Sequence, residues 1–180
     1  MDNNDTLTTK SRSYEYAVAK FNIEAAMNMS GLEYMRALAA GEIGAPPPIA
    51  QTVNMSLPFA LEEGSAIVEA YPADFLLNPM GFVHGGFAAT ILDTVVGIAV
   101  HTSLPKGIGY TTAQLNLNYT RAILPSTGKL RAQGKVIHSG RQMATAEGYL
   151  HGVEDGKLYA HATTTCFLFP LKLHKGQVAE

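Results

Sequence analysis

From Phe87 to Val100 every residue is apolar or small except Thr90, Asp93 and Thr94. A helix that is apolar on nearly all sides must be surrounded by protein, so the rest of the chain has to wrap around this one. The run is interrupted by Asp93 and falls short of the ~20 residues that cross a bilayer, which makes it a core helix. Removing a carboxylate from water is costly unless it is paired, hydrogen-bonded or neutralised. Asp93 is therefore either locked structurally or used for chemistry.

With 180 residues and 47% hydrophobic content, the chain has the material for one core and is read as a single globular domain with short additions. Thirteen basic and fifteen acidic residues are spread along it, with no basic stripe for nucleic acid and no polybasic segment for lipid headgroups. Neither nucleic acid nor a membrane is expected as a partner. Cys166 is the one cysteine, so no intramolecular disulfide forms. Met1 to Asp5 lacks the basic start and apolar run of a secretory signal, and a cytoplasmic protein is expected.

Residues 1–13 are polar and aperiodic and read as a disordered tail. A helical extension is expected over 14–45. Ala17, Val18, Phe21, Ala25 and Met29 recur at helical spacing, Ser30 and Glu33 have capping-box spacing, and Gly41 is placed to end the second helix. Pro46-Pro47-Pro48 forces an extended segment. The main domain is assigned to 46–172 and a C-terminal tail to 173–180.

Within that domain Val53, Met55 and Leu57 alternate with polar residues as a first strand, and Ala66 to Tyr71 is a second. The apolar helix follows. Leu115, Leu117 and Tyr119 then alternate with Gln114, Asn116 and Asn118, giving a strand with one buried face. Leu130 to His138 and Gln142 to His151 flank a hairpin at Ser139-Gly140-Arg141, and Asp155-Gly156 turns into Leu158 to Phe169. The expected fold is α+β: an antiparallel sheet of about six strands curled around one long helix. Such a domain can finish burying its core against a second copy, so a symmetric dimer is expected.

Asn78, Gly81, His84, Gly85 and Gly86 form an Asn-x-x-Gly-x-x-His-Gly-Gly pattern, with Asp93 seven residues after the last glycine. This pattern resembles the hotdog-fold acyl-CoA thioesterases, specifically their phenylacetate-degradation (PaaI-like) branch, over about residues 49 to 170. The resemblance implies a hotdog fold, no cofactor or metal beyond the coenzyme A thioester as substrate, and sites at the interface of a homodimer or dimer of dimers. It implies Asp93 as nucleophile or as general base toward water.

Backbone N–H groups at a helix N-terminus suit an oxyanion, which makes Gly85 the candidate donor, with Gly86 beside it. Asp93 lies seven or eight residues further on, more than 10 Å at ~1.5 Å per residue, so Gly85 of one subunit is expected near Asp93 of its partner. Asn78 either hydrogen-bonds water or the carbonyl, or initiates a turn. His84 either orients the loop, the favoured reading, or acts as acid or base. Thr112 aligns with a family residue that orients water or the acid, and Thr111 is a near-equal candidate. Arg141 and Gln142 on the hairpin either meet coenzyme A phosphates or are solvated. The histidines outside the motif show no metal-ligand spacing, and Cys166 is read as core packing.

Two further functions share this fold. A hydratase or dehydratase of acyl thioesters pairs a His with an acid, but its Gly-Asp-x-Asn-Pro-x-His signature is absent. A non-catalytic acyl-CoA-binding protein is the other, since a fold does not establish activity.

Overall fold

The computed structural model describes residues 8–18, 20–56, 58 and 60–172. Residues 1–7 of the tail expected at 1–13, and the whole of the one expected at 173–180, lie outside the described residues; residues 8–13 form no helix or strand, and Arg12 donates to the Thr52 carbonyl at 3.0 Å. Helical structure at the N-terminus is shorter than the periodicity suggested. Helix α1 covers only Ile23–Asn28, with Asn22 Oδ1 accepting from the Ala25 amide as its N-cap. Tyr16 and Val18 stand largely exposed, Phe21 only lays its ring against Tyr34 at 5.8 Å between centroids, and the amphipathic spacing there folds no helix. Helix α2, Gly31–Ala39, begins at the expected capping box: Ser30 Oγ accepts from the Glu33 amide and Glu33 returns a bond to the Ser30 amide.

The proline run stays extended only to Pro47. Pro48 takes the first position of a short helix α3, Pro48–Thr52, where its missing N–H costs nothing. This helix consumes the start of the expected first strand. Asn54 turns the chain with φ 55°, Met55 makes a single bridge to Ala70, and Leu57 lies outside the described residues. The first strand is instead β1, Ala60–Glu62, in a hairpin with β2, Ser65–Ala70.

Helix α4, Gly85–Thr102, follows, then β3 (Ile108–Tyr119), β4 (Leu130–Ser139), β5 (Met143–Gly152) and β6 (Leu158–Pro170). The six strands form one sheet in the order β1-β2-β4-β5-β6-β3, with every pairing antiparallel. The long β6 carries β3 back to the far edge of the sheet. This is the hotdog arrangement, with α4 as the filling.

By length and hydropathy α4 could span a membrane, yet its Phe87, Ala88, Ile91, Leu92, Val95, Val96, Ala99 and Val100 are buried against the sheet. Two glycines let it lie close. A Cβ on Gly134 of β4 would stand 2.5 Å from the Val95 carbonyl oxygen, and one on Gly148 of β5 would stand 2.7 Å from Val96 Cγ1. The helix thus meets β4 backbone to backbone and seats Val96 on β5. At the C-terminal end, α2 is fastened to α4 by the Gly31 amide, which donates to the Leu104 carbonyl at 2.9 Å.

Candidate active site

Asp93 is half-buried two turns into α4, on the stripe it shares with Thr94, Ile98 and His101. Thr112 Oγ1 on β3 donates to Asp93 Oδ1 at 3.2 Å. No cation pairs with this carboxylate among the described residues. It stands at the wall of a cavity of about 470 Å³, within the usual range for ligand pockets.

Thr111 does not join it. A β-bulge between Thr112 and Gln114 shifts the side-chain parity of β3, so Tyr110 and Thr112 face the helix before the bulge and Leu115 and Leu117 face the core after it. Thr111 lies exposed on the other face.

The cavity also holds groups that no motif pointed to. His101 stacks on Tyr34 of α2 with ring centroids 5.3 Å apart, and Tyr110 meets the same imidazole at 5.6 Å. Burial lowers the His101 pKa to about 4, so the ring is neutral. Burial, with smaller contributions from Cys166 and the Asp93 charge, pushes the Tyr110 phenol well above its ordinary value. Cys166 itself is fully buried, its thiol pushed up by burial.

The helix N-terminus opens elsewhere, into a groove of about 420 Å³ that Asn78, Gly85 and Tyr119 line together. His84 is the N-cap: its Nδ1 accepts from the Gly86 amide at 2.9 Å. The Gly85 amide has no acceptor among the described residues, while its carbonyl accepts from the Tyr119 hydroxyl at 3.0 Å. Asn78 Oδ1 accepts from the Met80 and Phe82 amides, holding the turn in which Gly81 sits at φ 80°. Its side-chain NH₂ has no acceptor among the described residues.

One chain therefore brings Thr112 to Asp93, and Asn78 to Gly85, but keeps the two pairs apart. Eight residues of α4 separate Gly85 from Asp93, about 12 Å along the axis. Arg141 and Gln142 sit exposed in the β4–β5 turn and line neither depression. Among the described residues no cluster of three His, Cys, Asp or Glu side chains could hold a metal. Tyr119, Tyr110, His101 and Tyr34 escaped the sequence reading because their grouping depends on contacts between distant elements.

Residues 80–159 match the family model of the thioesterase superfamily. A phenylacetic acid degradation-related protein of Ralstonia eutropha JMP134, provisionally named a thioesterase, shares 34% identity, covering 74% of this chain and 98% of that one at a TM-score of 0.65. A Streptococcus mutans UA159 protein crystallised with acetyl-CoA shares 26% identity over 64% of this chain and 90% of that one, with a TM-score of 0.57. A Halobacterium salinarum protein, provisionally named an esterase, is 40% identical over 67 residues, 37% of this chain. The match spans 44% of that curated relative's length. With its six antiparallel strands wrapped on one long helix, and its motif helix inside the matched region, this chain belongs to the hotdog-fold thioesterase superfamily.

Proposed function

We propose that the chain hydrolyses an acyl-CoA thioester to a free acid and coenzyme A. The observation that carries this reading is the Asp93 carboxylate, half-buried, unpaired with any described cation and oriented by Thr112 at the wall of an apolar cavity. As general base, Asp93 takes a proton from water as the water oxygen bonds to the thioester carbonyl carbon. The carbon–sulfur bond then breaks and the proton passes to the departing thiolate. As nucleophile, the carboxylate attacks the carbonyl carbon, the carbon–sulfur bond breaks and coenzyme A leaves as a thiolate that takes up a proton, and water then cleaves the resulting anhydride to the free acid and the Asp93 carboxylate.

The tetrahedral species carries negative charge on oxygen, and in this reading the Gly85 amide of a second copy donates to it. Two features support a second copy. The carboxylate and the amide lie about 12 Å apart on one helix, and β3, twelve residues long, leaves one edge unpaired among the described residues. In this reading Asn78 and Thr112 hold water and acid, His84 fixes the helix entry, and Gly86 supports the donor. Arg141 and Gln142 reach coenzyme A from the hairpin. The acetyl-CoA carried by the Streptococcus mutans relative supports coenzyme A as the leaving group.

Thiol release from a saturated acyl-CoA tests the proposal. Release by the parent protein and its loss in folded Asp93→Asn are expected. A hydratase would leave the thiol bound, and binding of acyl-CoA without turnover would identify a carrier or sensor instead.

A further inference from the structure

Building on the thioester reading, we propose that the cavity beside Asp93 is an acyl-chain pocket closed by the protein's own N-terminal helices. It takes uncharged straight chains of about ten carbons, and Tyr34 and His101 form its end wall.

The direction of the cavity follows from α4. Asp93, Thr94, Ile98 and His101 all line it, so it runs from the carboxylate toward the helix C-terminus, away from Gly85. Eight residues at ~1.5 Å each give a run of about 12 Å from Asp93 to His101. An extended chain advances about 1.2 Å per bond, as the ~3.5 Å span of a three-bond residue shows, so the run holds about ten bonds. Volume sets no tighter limit: the 470 Å³ of the cavity equals roughly sixteen volumes of ~30 Å³, the share of one water in the liquid.

The lining selects the chemistry. Met35, Leu38, Ile49, Met55, Val68 and Ile98 supply apolar surface, and among the described residues Asp93 is the one charged side chain in the wall. A second carboxylate on the acyl group would find no cation there and would face the Asp93 charge.

The far end is closed by a stack, not by solvent. Tyr34 stacks on His101 at 5.3 Å between ring centroids, and Tyr110 meets the same imidazole in a tilted contact at 5.6 Å. This wall is anchored by backbone. The Gly31 amide is bonded to Leu104, and a Cβ on Gly31 would come within 1.7 Å of the His101 carbonyl oxygen, so α2 cannot ride outward without losing that fit. Most of the remaining wall, from Phe21 to Pro58, precedes the stretch matched by the family model.

The test is a series of saturated acyl-CoAs from two to sixteen carbons. For the parent, kcat/KM is expected to rise up to about fourfold per added methylene, peak near ten carbons and fall beyond. His101→Ala should move the peak at least two carbons longer, and Ile98→Phe, which fills the middle of the run, should move it shorter. Calorimetric binding of the same series to Asp93→Asn reads the pocket without turnover and should peak at the same length. A parent optimum at two to four carbons, a preference for aryl-acyl substrates, or an unchanged optimum in both folded variants would overturn the proposal. Absence of hydrolysis with length-dependent binding intact would overturn the enzymatic reading and leave the pocket standing.

Discussion

Thr112 Oγ1 donates to Asp93 Oδ1 at 3.2 Å, which ties the edge strand of the sheet to the helix at its centre. A bond to a carboxylate from a neutral donor orients the acid without neutralising it. Thr112→Val keeps the shape and removes the donor, and is expected to lower kcat about tenfold, the effect of one hydrogen bond to a charged group. Thr112→Ser should retain most of the rate. Asp93→Asn should cost a hundredfold or more. Steady-state kinetics alongside unfolding midpoints check all three; equal rates for parent and Thr112→Val would remove Thr112 from the site.

Gly85 is the first residue of α4, a position that accepts proline, so Gly85→Pro deletes its N–H while suiting the helix. Gly85→Ala is the control, since it adds a Cβ at a similar 3.0 Å from the Tyr119 hydroxyl yet keeps the N–H. The proline variant should lose about a hundredfold in kcat and the alanine variant far less. Mixing Gly85→Pro with Asp93→Asn should restore part of the activity in heterodimers, each of which holds one intact site. Folded heterodimers with no recovered turnover would argue against a site shared between copies.

His101 gives the fold a pH dependence. Its pKa is lowered to about 4 by burial, against about 6.5 in an unfolded chain. Between those values the unfolded chain binds a proton that the folded one refuses. Stability is therefore intact above pH 6.5 and falls as pH drops toward 4, by up to about 3 kcal/mol. His101→Phe keeps a ring against Tyr34 and should flatten this part of the profile. Urea midpoints from pH 4 to 7 compare the two, and identical slopes would contradict the assignment.

Gly134→Ala places a methyl group against the Val95 carbonyl, where the gap is 2.5 Å and the obstacle is backbone. The helix must lift or the strand must bend, at a cost of about 1–3 kcal/mol, typical of overpacking. Chemical denaturation measures it. An unshifted midpoint would show that α4 floats more freely above the sheet than its contacts indicate.

Much of this architecture was legible in the sequence because it rests on local periodicity. The apolar run with one acid could only be a sheathed helix, the Gly-containing turns at 140 and 156 announced hairpins, and Ser30 with Glu33 marked a helix start that the structure contains. The failures occurred where tertiary contact decides. Tyr16 and Val18 have helical spacing but stay exposed, and Pro48 turned an extended prediction into a helical turn. The ambiguity between Thr111 and Thr112 has a geometric origin. Counting by twos from Leu115 puts Thr111 on the inner face, and only the bulge, invisible to alternation, puts Thr112 there. The cavity could not be foreseen at all, because its wall pairs α2 with the end of α4 across about seventy residues of chain.

The placement of that wall separates two kinds of information along the polypeptide. Asp93 and Gly85 lie inside residues 80–159, whereas Phe21, Tyr34, Leu38 and Ile49 lie before them. Grafting a different leading segment onto the same hotdog would reshape what fits beside the carboxylate while leaving the carboxylate in place. Relatives aligned only across the shared core are thus silent about appetite.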